Sequence, residues 1–404
     1  MKCGLLGRKL GHSFSPMIHA HLGDYSYELF EREPDQLEDF LRNGGWDGIN
    51  VTIPYKKDVI PYLDELSPIA AKLGAVNTII RRDGRLIGHN TDYFGFKEMV
   101  SSSGLELNGK KALVLGTGGA SKPVIAALED LGAQVISISR SGENNYENIH
   151  RHADAAVIVN ATPVGMYPQT GMAPVDISLF PKLEGVLDIV YNPARTQLLL
   201  DAEARGLVTV NGLLMLVAQA KEASEWFQGK SLDDSLITAI HTALRRRTEN
   251  IVLIGMPGSG KTTVGKALAE KLGKTFMDAD EELVKMAGKS IPEIFAEDGE
   301  EVFWTWETRV LEELGKKSSL ILSTGGGCVT KERNYPLIHQ NGTIFWLKRD
   351  LDKLPTDGRP LSQTGKLAAM YEIRRPLYAA FADVTIDNDG ALEDTLAQIT
   401  EELK

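Results

Sequence analysis

Two glycine-rich turns constrain the fold of this chain more than any other feature. The first follows the apolar run 111–115, the second follows the apolar run 250–254, and each precedes a helical pattern. A strand, a glycine turn and a helix in that order are typical of parallel sheets whose connections are helices. The same alternation continues along nearly the whole chain. We therefore predict an α/β protein with parallel sheets covered by helices.

The length of the chain, 404 residues, predicts two or three domains. A helical pattern over 231–247 ends in three consecutive arginines, and the helix dipole favours cations at a helix C-terminus. A new strand begins at Asn250. The best domain boundary therefore lies at 248–250.

Charge and cysteine content limit the partners and the compartment. The formal net charge of −11 argues against a surface that binds nucleic acid. Two cysteines, Cys3 and Cys328, are too few for a disulfide framework and indicate a reducing compartment. No apolar run reaches about 18 residues, and the N-terminus lacks the apolar core of a signal peptide. We expect a cytoplasmic protein whose partners are small molecules, without a membrane or nucleic-acid partner; the oligomeric state stays open.

The second turn, residues 255–262, reads GMPGSGKT and fits the pattern G-x-x-x-x-G-K-[ST]. Its glycines let backbone N–H groups converge on phosphate oxygens, Lys261 would reach the β- and γ-phosphates, and the Thr262 hydroxyl would ligate Mg²⁺. This part of the chain is predicted to bind ATP or GTP. The residues assigned to the nucleotide are Gly258, Ser259, Gly260, Lys261, Thr262 and Thr263.

Five short motifs follow this turn in order. They are FMDAD at 276–280, GEEVF at 299–303, TGGG at 324–327, DGRPL at 357–361 and RRPLY at 374–378. Together with the turn, they closely resemble the shikimate kinase family over about residues 250–404. The resemblance implies a P-loop kinase domain with a parallel sheet flanked by helices. It also implies ATP and Mg²⁺ as co-substrate and cofactor.

The same resemblance implies individual roles. Asp280 would lie near the acceptor hydroxyl as base or anchor, and Asp278 would hold Mg²⁺ through water. Arg359 would lie in a lid over the transferring phosphate, and Arg374 would hold the substrate carboxylate. Such a set suits phosphoryl transfer, which needs positioning and positive charge more than covalent chemistry. The shikimate ring would lie against the backbone of Gly325, Gly326 and Gly327.

One position departs from the family pattern G-E-x-x-F-R-x-x-E. Gly299, Glu300, Phe303 and Glu307 match it, but Trp304 replaces the arginine that normally grips the shikimate carboxylate. An indole has one donor and no charge. A lost charge-assisted hydrogen bond is worth about 1.5–3 kcal/mol, or roughly 10- to 150-fold in affinity.

Helical spacing separates the two tryptophans of this segment. Trp306 shares an apolar face with Phe303 and Val310, so we expect it in the core. Trp304 lies on the other side, where the substrate-facing arginine belongs. Three interpretations stay open: weak binding of shikimate, a carboxylate held by Arg374 and another cation, or a different polyol as acceptor.

The first turn, GTGGAS at 116–121, is similar to a dinucleotide-binding turn, although Ser121 stands where glycine or alanine is usual. The next strand is followed by Arg140 rather than an acidic residue, which favours the 2′-phosphate of NADP over the ribose of NAD. The residues assigned to NADP are Gly116, Gly118, Gly119, Ala120, Arg140 and Thr162.

A second set of motifs spans about residues 1–245. It comprises HSFSP at 12–16, NVTIPYK at 50–56, GAVNT at 74–78, GHNTD at 88–92, NAT at 160–162, Tyr191 and GLLMLVAQ at 212–219. In combination they resemble the shikimate dehydrogenase family. The resemblance implies a substrate domain over 1–100, completed by a helix at about 212–245. It also implies a Rossmann-type NADP domain over 101–211, with the kinase domain at 250–404.

This resemblance also implies roles. Lys56 and Asp92 would be the acid/base pair at the ring ketone, since an ammonium can stabilise and protonate the oxygen that gains charge. Ser13 and Ser15 would bind the substrate carboxylate. The remaining polar contacts to the substrate would come from Thr52, Asn77, Tyr191 and Gln219.

Together the two resemblances imply a bifunctional enzyme. It would reduce 3-dehydroshikimate to shikimate with NADPH and then phosphorylate shikimate with ATP. The alternative is an active shikimate or quinate dehydrogenase fused to a substrate-impaired, ATP-binding regulatory module, because Trp304 replaces the arginine.

Overall fold

A computed structural model describes residues 1–11, 13–354 and 364–403. The chain divides into two compact units. The first unit comprises Met1–Gly165, Met172–Tyr191 and Leu198–Ala243, and the second comprises Met166–Gly171, Asn192–Gln197 and Leu244–Lys404. Within the described residues, the strands form three sheets, and no helix is long and apolar enough to cross a membrane.

The first unit begins with a six-stranded sheet. Its strands are β1 (Lys2–Gly7), β2 (Ser26–Glu31), β3 (Gly48–Val51), β4 (Glu65–Leu66), β5 (Thr78–Arg82) and β6 (Arg85–His89). The helices of this region are α1 (Ser15–His19), α2 (Leu37–Asn43), α3 (Pro68–Leu73) and α4 (Asp92–Ser103). The strand order is β2-β1-β3-β5-β6-β4. Buried Leu6, Trp46, Ile49 and Ile79 belong to its core.

This sheet is mixed, whereas the alternation of strands and helices predicted parallel sheets. β5 pairs antiparallel with both β3 and β6. For the β5–β6 pair the reason is local, because Asp83 and Gly84 both adopt positive φ, 51° and 75°. An Asp-Gly pair in that conformation makes a two-residue hairpin turn.

The second sheet of the first unit is fully parallel. Its strands are β7 (Lys111–Leu115), β8 (Gln134–Ile138), β9 (Val157–Asn160), β10 (Gly185–Asp188) and β11 (Val208–Asn211), accompanied by helices α5 (Ser121–Asp130) and α6 (Gln197–Ala204). The order β11-β10-β9-β7-β8 places β8 and β9 on opposite sides of β7. In such sheets, ligands bind beyond the carboxyl ends of the strands where the order reverses.

Two helices, α7 (Leu213–Gln228) and α8 (Ser235–Thr248), occupy the region where the family resemblance implied one helix at about 212–245, and α8 corresponds to the helical pattern predicted over 231–247. The break occurs because Gly229, with φ of 64°, ends α7 in the left-handed conformation. α7 returns to the N-terminal region. The Tyr25 hydroxyl donates to Ser224 Oγ over 2.8 Å, and the Gln228 amide donates to the Leu22 carbonyl over 3.0 Å.

The second unit contains a fully parallel five-stranded sheet of order β13-β14-β12-β15-β16. The strands are β12 (Asn250–Ile254), β13 (Thr275–Asp278), β14 (Leu320–Ser323), β15 (Gly342–Lys348) and β16 (Val384–Asp387). The helices are α9 (Lys261–Leu272), α10 (Ala279–Ala287), α11 (Ile291–Glu293), α12 (Glu300–Gly315), α13 (Asn334–His339), α14 (Thr364–Phe381) and α15 (Leu392–Glu402). Alternate residues of β12 enter two different cores, as expected for a strand covered by helices on both faces. The predicted α/β class is confirmed.

Gly95 brings α4 and α7 unusually close together. A Cβ atom at this position would lie 2.6 Å from the Met215 carbonyl oxygen and 3.0 Å from Cβ of Gln219. α4 begins at Asp92 and α7 carries Gln219. The close contact therefore fixes two predicted site residues relative to each other.

We expect Gly95→Ala to lower the free energy of unfolding by about 1–3 kcal/mol, as other overpacking substitutions do, because α7 must shift away from α4. The midpoint of urea unfolding, followed by circular dichroism, measures the effect. Ser101→Ala is the matched control, since Ser101 is exposed on the same helix. A Gly95→Ala midpoint equal to that of the control would contradict the expectation.

Candidate active sites

An ion pair joins Lys56 and Asp92 in the first unit. Lys56 Nζ donates to Asp92 Oδ2 over 2.6 Å. The side chains are 23% and 7% exposed, whereas neighbouring Lys57 is exposed. Lys56 lies in the turn after β3, and Asp92 is the first residue of α4. The fold thus holds one ammonium group in a fixed, partly buried position, where it can donate a proton.

Asn77 connects this pair to α7. Its Oδ1 accepts from the Thr91 backbone N–H over 2.7 Å, and its Nδ2 donates to Thr91 Oγ1 over 3.0 Å. Nδ2 also lies 3.5 Å from Gln219 Oε1. Asn77 is buried and Gln219 is partly buried. The structure therefore brings together Lys56, Asp92, Asn77 and Gln219 from separate elements.

The serines of the N-terminal motif lie next to each other. Ser13 Oγ donates to Ser15 Oγ over 3.1 Å, and the ring of intervening Phe14 lies 5.7 Å from the ring of Tyr191. Burial raises the pKa of the Tyr191 hydroxyl, which stays neutral and can donate. Thr52 directly follows β3, and its backbone N–H donates to the Leu6 carbonyl over 2.9 Å. His12 of the same motif lies outside the described residues.

The first glycine turn packs against the loop after β9. Gly116 has φ of 99°, and a Cβ here would lie 2.8 Å from Thr162 Cγ2. At Gly118 and Gly119, a Cβ would meet no described atom within 4 Å. This side of the turn is open, at the carboxyl ends of β7 and β9 where the strand order reverses. A backbone open at this place fits the pyrophosphate of a dinucleotide.

Ser121, the departure from the dinucleotide pattern, is accommodated by its own turn. It begins α5 directly after Ala120, is 1% exposed, and its hydroxyl donates to the Gly118 carbonyl over 2.7 Å. The small side chain folds back on the turn. The substitution therefore leaves the strand–turn–helix geometry intact.

A buried polar network orients Thr162. Its hydroxyl donates to Asn160 Oδ1 over 2.7 Å, and Asn160 Nδ2 donates to Asp188 Oδ1 over 3.0 Å. Asp188 was not identified from the sequence. It could have been found as the acidic residue that ends an otherwise apolar strand. Arg140 is exposed two residues after β8. Burial raises the pKa of the Tyr146 hydroxyl, and the nearby charge of Arg140 partly opposes this rise.

In the second unit, the second glycine turn forms a loop between β12 and α9. Gly258 and Gly260 have φ of 85° and 94°, values that favour glycine. Lys261 Nζ donates to the carbonyls of Gly255 and Met256 over 2.9 and 3.1 Å. The lysine therefore arches over the loop whose N–H groups are predicted to bind phosphate.

Thr262 and Asp278 meet beside this loop. Thr262 Oγ1 donates to Asp278 Oδ2 over 3.0 Å, and Asp278 Oδ1 accepts from the Asp280 backbone N–H over 3.0 Å. A hydroxyl and a carboxylate in contact provide the oxygen ligands that Mg²⁺ prefers. These residues line a cavity of about 630 Å³ together with Pro257, Gly258, Gly260, Lys261, Thr263, Ser323, Thr324, Gly326, Arg349 and Lys353.

The three consecutive glycines after β14 leave no room for side chains. A Cβ at Gly325 would lie 2.6 Å from Glu307 Oε1 and 2.9 Å from Asp280 Oδ1, and one at Gly327 would lie 2.4 Å from the Trp304 ring. A Cβ at Gly326 would lie 2.7 Å from the Pro257 ring. The Gly326 carbonyl accepts from Arg374 Nη1 over 3.1 Å and from the Tyr378 hydroxyl. The structure therefore brings together Asp280, the glycine strip 325–327 and Arg374; Arg359 lies outside the described residues.

Trp306 was predicted to lie in the core, but it is less buried than predicted. Trp306 is only partly buried against the core, with the Arg309 guanidinium 5.3 Å from its ring centre. Trp304 is the more buried residue, 9% exposed, because its ring fills the space left by Gly327. Its Nε1 donates to Glu300 Oε1 over 3.1 Å. Trp304 is thus both a core residue and a neighbour of the glycine strip.

Glu307 is a residue whose importance sequence analysis missed. It is 2% exposed, and neither carboxylate oxygen has a hydrogen-bond partner among the described residues. Burial, and then the negative charge of Asp280, raise its pKa to about 8 against the opposing charge of Arg374. The helical spacing of Phe303, Glu307 and Val310 could have revealed its burial.

Comparisons with known proteins agree with this geometry. The shikimate dehydrogenase substrate binding domain family matches residues 5–79, and the shikimate kinase family matches residues 257–404. The NADP(+) shikimate dehydrogenase of Clostridium perfringens strain SM101 is 38% identical over 266 residues, covering 60% of this chain and 98% of that protein.

Solved structures agree as well. The chorismate mutase/shikimate 5-dehydrogenase fusion protein from Clostridium acetobutylicum is 36% identical, with a TM-score of 0.58 over 60% of this chain and 96% of that one. Shikimate 5-dehydrogenase from Thermus thermophilus, in complex with NADP(H) and shikimate, is 33% identical, with a TM-score of 0.55 over 60% and 99% of the two chains.

The raised pKa of Glu307 predicts a pH dependence of stability. The folded protein keeps a proton that the unfolded chain releases between the ordinary pKa of 4.5 and about 8. This contribution to the free energy of unfolding is therefore present below pH 4.5. It is lost as pH rises through that window, by up to about 1.4 kcal/mol per pH unit.

Thermal unfolding of the full chain at about pH 4 and about pH 8.5, which bracket this window, measures the loss. We expect Glu307→Gln to lose less stability than the natural chain over this interval. Glu301→Gln, at an 87% exposed side chain on the same helix, should behave like the natural chain. Equal losses in all three proteins would contradict the assignment.

Proposed function

The chain belongs to the shikimate dehydrogenase family and also carries a shikimate kinase domain, and on this premise we propose that it catalyses two consecutive reactions of the shikimate pathway. The first unit reduces 3-dehydroshikimate to shikimate with NADPH. The second unit phosphorylates shikimate to shikimate 3-phosphate with ATP and Mg²⁺. The ion pair between Lys56 and Asp92 carries the first assignment, and the contact between Thr262 and Asp278 beside the glycine loop supports the second.

In the first reaction, bound NADPH supplies the hydride that reduces the ring ketone. Lys56 donates a hydrogen bond and then a proton to the ketone oxygen as negative charge develops there. Asp92 orients the ammonium through their hydrogen bond. The amides of Asn77 and Gln219 bind ring hydroxyls, and the hydroxyls of Ser13, Ser15, Thr52 and Tyr191 complete the polar contacts.

The open backbone at Gly118 and Gly119 supports binding of the pyrophosphate at this turn. Arg140 is the exposed cation that would pair with a 2′-phosphate, so we assign NADP rather than NAD as the preferred cofactor. Gly116, Ala120 and Thr162 shape the rest of the turn.

In the second reaction, ATP with Mg²⁺ supplies the phosphoryl group and offsets its charge. Gly258, Ser259, Gly260 and Thr263 belong to the loop and helix start that bind the phosphates, and Lys261 lies against their β/γ end. The Thr262 hydroxyl would ligate Mg²⁺, and Asp278 would hold the ion through water. Asp280 orients the acceptor hydroxyl over the 325–327 strip, and Arg374 binds the substrate carboxylate. The lid role of Arg359 remains part of the proposal.

A second candidate function rests on Trp304. If the missing arginine removes shikimate binding, the chain is a dehydrogenase of shikimate or quinate fused to a module that binds ATP without phosphorylating shikimate. The indole N–H is already bonded to Glu300, so Trp304 adds no donor for a carboxylate. This observation makes the kinase reaction the one to test first.

Lys56→Met is expected to lower dehydrogenase kcat by roughly 10²- to 10⁴-fold, because the proton donor is lost. NADP⁺ reduction with shikimate measures the reaction. Lys57→Met, at the exposed neighbour, should keep natural activity, and ATP-dependent ADP release should be unchanged in both variants. Full dehydrogenase activity in Lys56→Met would disprove the assigned proton donor.

ADP release with ATP, Mg²⁺ and titrated shikimate tests the kinase reaction. We expect saturable release from the natural chain, and a KM for shikimate lowered roughly 10- to 150-fold in Trp304→Arg. Trp306→Arg is the control and should not lower KM. Retained ATP binding without shikimate-dependent release, in the natural chain and in Trp304→Arg, would favour the regulatory module.

A further inference from the structure

Glu307 lies against the strip of backbone that the proposed kinase reaction uses. It projects from α12, and Oε1 comes within 2.6 Å of the point where a Cβ of Gly325 would lie. Asp280 Oδ1 approaches the same point at 2.9 Å from the side of α10. The carboxyl of Glu307 therefore packs directly against the glycine strip, beside the group assigned to the acceptor hydroxyl.

No contact among the described residues explains why a carboxyl group is buried at this position. Only 2% of the residue is exposed, and no described residue hydrogen-bonds to either oxygen. A buried polar group without a partner is costly. A polar group without a partner beside the glycine strip is explained if the substrate, when bound, becomes its hydrogen-bond partner.

The charged and titratable groups facing Glu307 come from four directions. Asp280 faces it from α10, and Arg374 and Tyr378 face it from α14. Cys328 faces it from the turn after β14. The charge of Lys261, from the phosphate loop, also acts on Cys328. Arg374 donates a hydrogen bond to the Gly326 carbonyl and none to Glu307. Burial and Asp280 therefore dominate, and they favour the neutral carboxylic acid, which is a hydrogen-bond donor.

We propose that Glu307 is a specificity-determining residue of the kinase site, where its protonated carboxyl donates a hydrogen bond to the carboxylate of the substrate. Trp304 offers no charged group to bind the substrate carboxylate. Glu307, as a neutral donor, performs part of this binding instead. The inference rests on the proposed phosphorylation of shikimate. It assigns recognition of the substrate anion to Arg374 and Glu307 together.

The direction of the pH dependence follows. Ionisation of Glu307 removes the donor and places a second negative charge against the substrate carboxylate. We expect the KM for shikimate in ADP release to be constant below the pKa of Glu307 and to rise above it, by roughly tenfold per pH unit. The KM for ATP should not follow this profile, because Glu307 is not among the residues assigned to the nucleotide.

Two variants separate a donor role from a structural one. Glu307→Gln keeps a neutral donor, so its KM for shikimate should stay within about threefold of the natural value at neutral pH and remain flat into alkaline pH. Glu307→Leu keeps the bulk without the donor and should raise KM at neutral pH roughly 10-fold or more. Glu301→Gln, at the exposed end of α12, should retain the natural pH profile. An unchanged KM for ATP shows that each variant is folded.

A rise of KM with pH in Glu307→Gln, matching that of the natural chain, would overturn the inference, because the titrating group would lie elsewhere. A natural KM in Glu307→Leu would overturn it too, while leaving the kinase reaction intact. Absence of shikimate-dependent ADP release from the natural chain at every pH overturns both the kinase proposal and this inference. The outcomes are therefore distinguishable.

Discussion

At Gly116 and again at Gly325, the end of a parallel strand runs closer to its neighbours than any side chain would permit. At the first, the neighbour is Thr162 in the loop after β9; at the second, Glu307 and Asp280 are the neighbours. Parallel sheets bring strand ends to one edge, and glycines at those ends let neighbouring groups approach the backbone closely. Both proposed sites lie at this edge, where phosphates or a ring would also need close approach to the backbone.

The two sites use this edge differently. In the first unit, the proposed chemistry belongs to side chains held by other side chains: Asn77 donates a hydrogen bond to Thr91, and Lys56 donates one to Asp92. Such a site depends on the helix contact at Gly95, because its members come from distant parts of the chain. In the second unit, the loop backbone and Lys261 belong to one strand–turn–helix unit. Local sequence therefore determines much more of the second site than of the first.

That difference decides what sequence analysis could predict. The phosphate loop and the α/β class follow from local spacing, and the structure confirms the class. The hairpin between β5 and β6 was missed although Asp83 and Gly84 mark it, because the alternation of strands and helices was given more weight. The helix that the family resemblance implied over 212–245 is two helices, because Gly229 ends the first. The burial of Trp304 could not be predicted from the sequence, because it depends on the space left by Gly327, which lies far along the chain.

The protonation of Glu307 shows why a substitution has to be interpreted together with its neighbours. An arginine at position 304 would place a cation near Glu307, and a buried carboxylate is stable only when it is paired. With Trp304 in that position, the carboxyl lacks this counterion and Asp280 opposes its ionisation, so the neutral acid is favoured. Loss of the arginine thus also converts an acceptor into a donor. A hydrogen bond from a neutral carboxylic acid to a carboxylate has one charged partner, and such a bond is worth about 1.5–3 kcal/mol. Glu307 offers one such bond where an arginine can offer two, so it would restore part, but not all, of the affinity for a carboxylate.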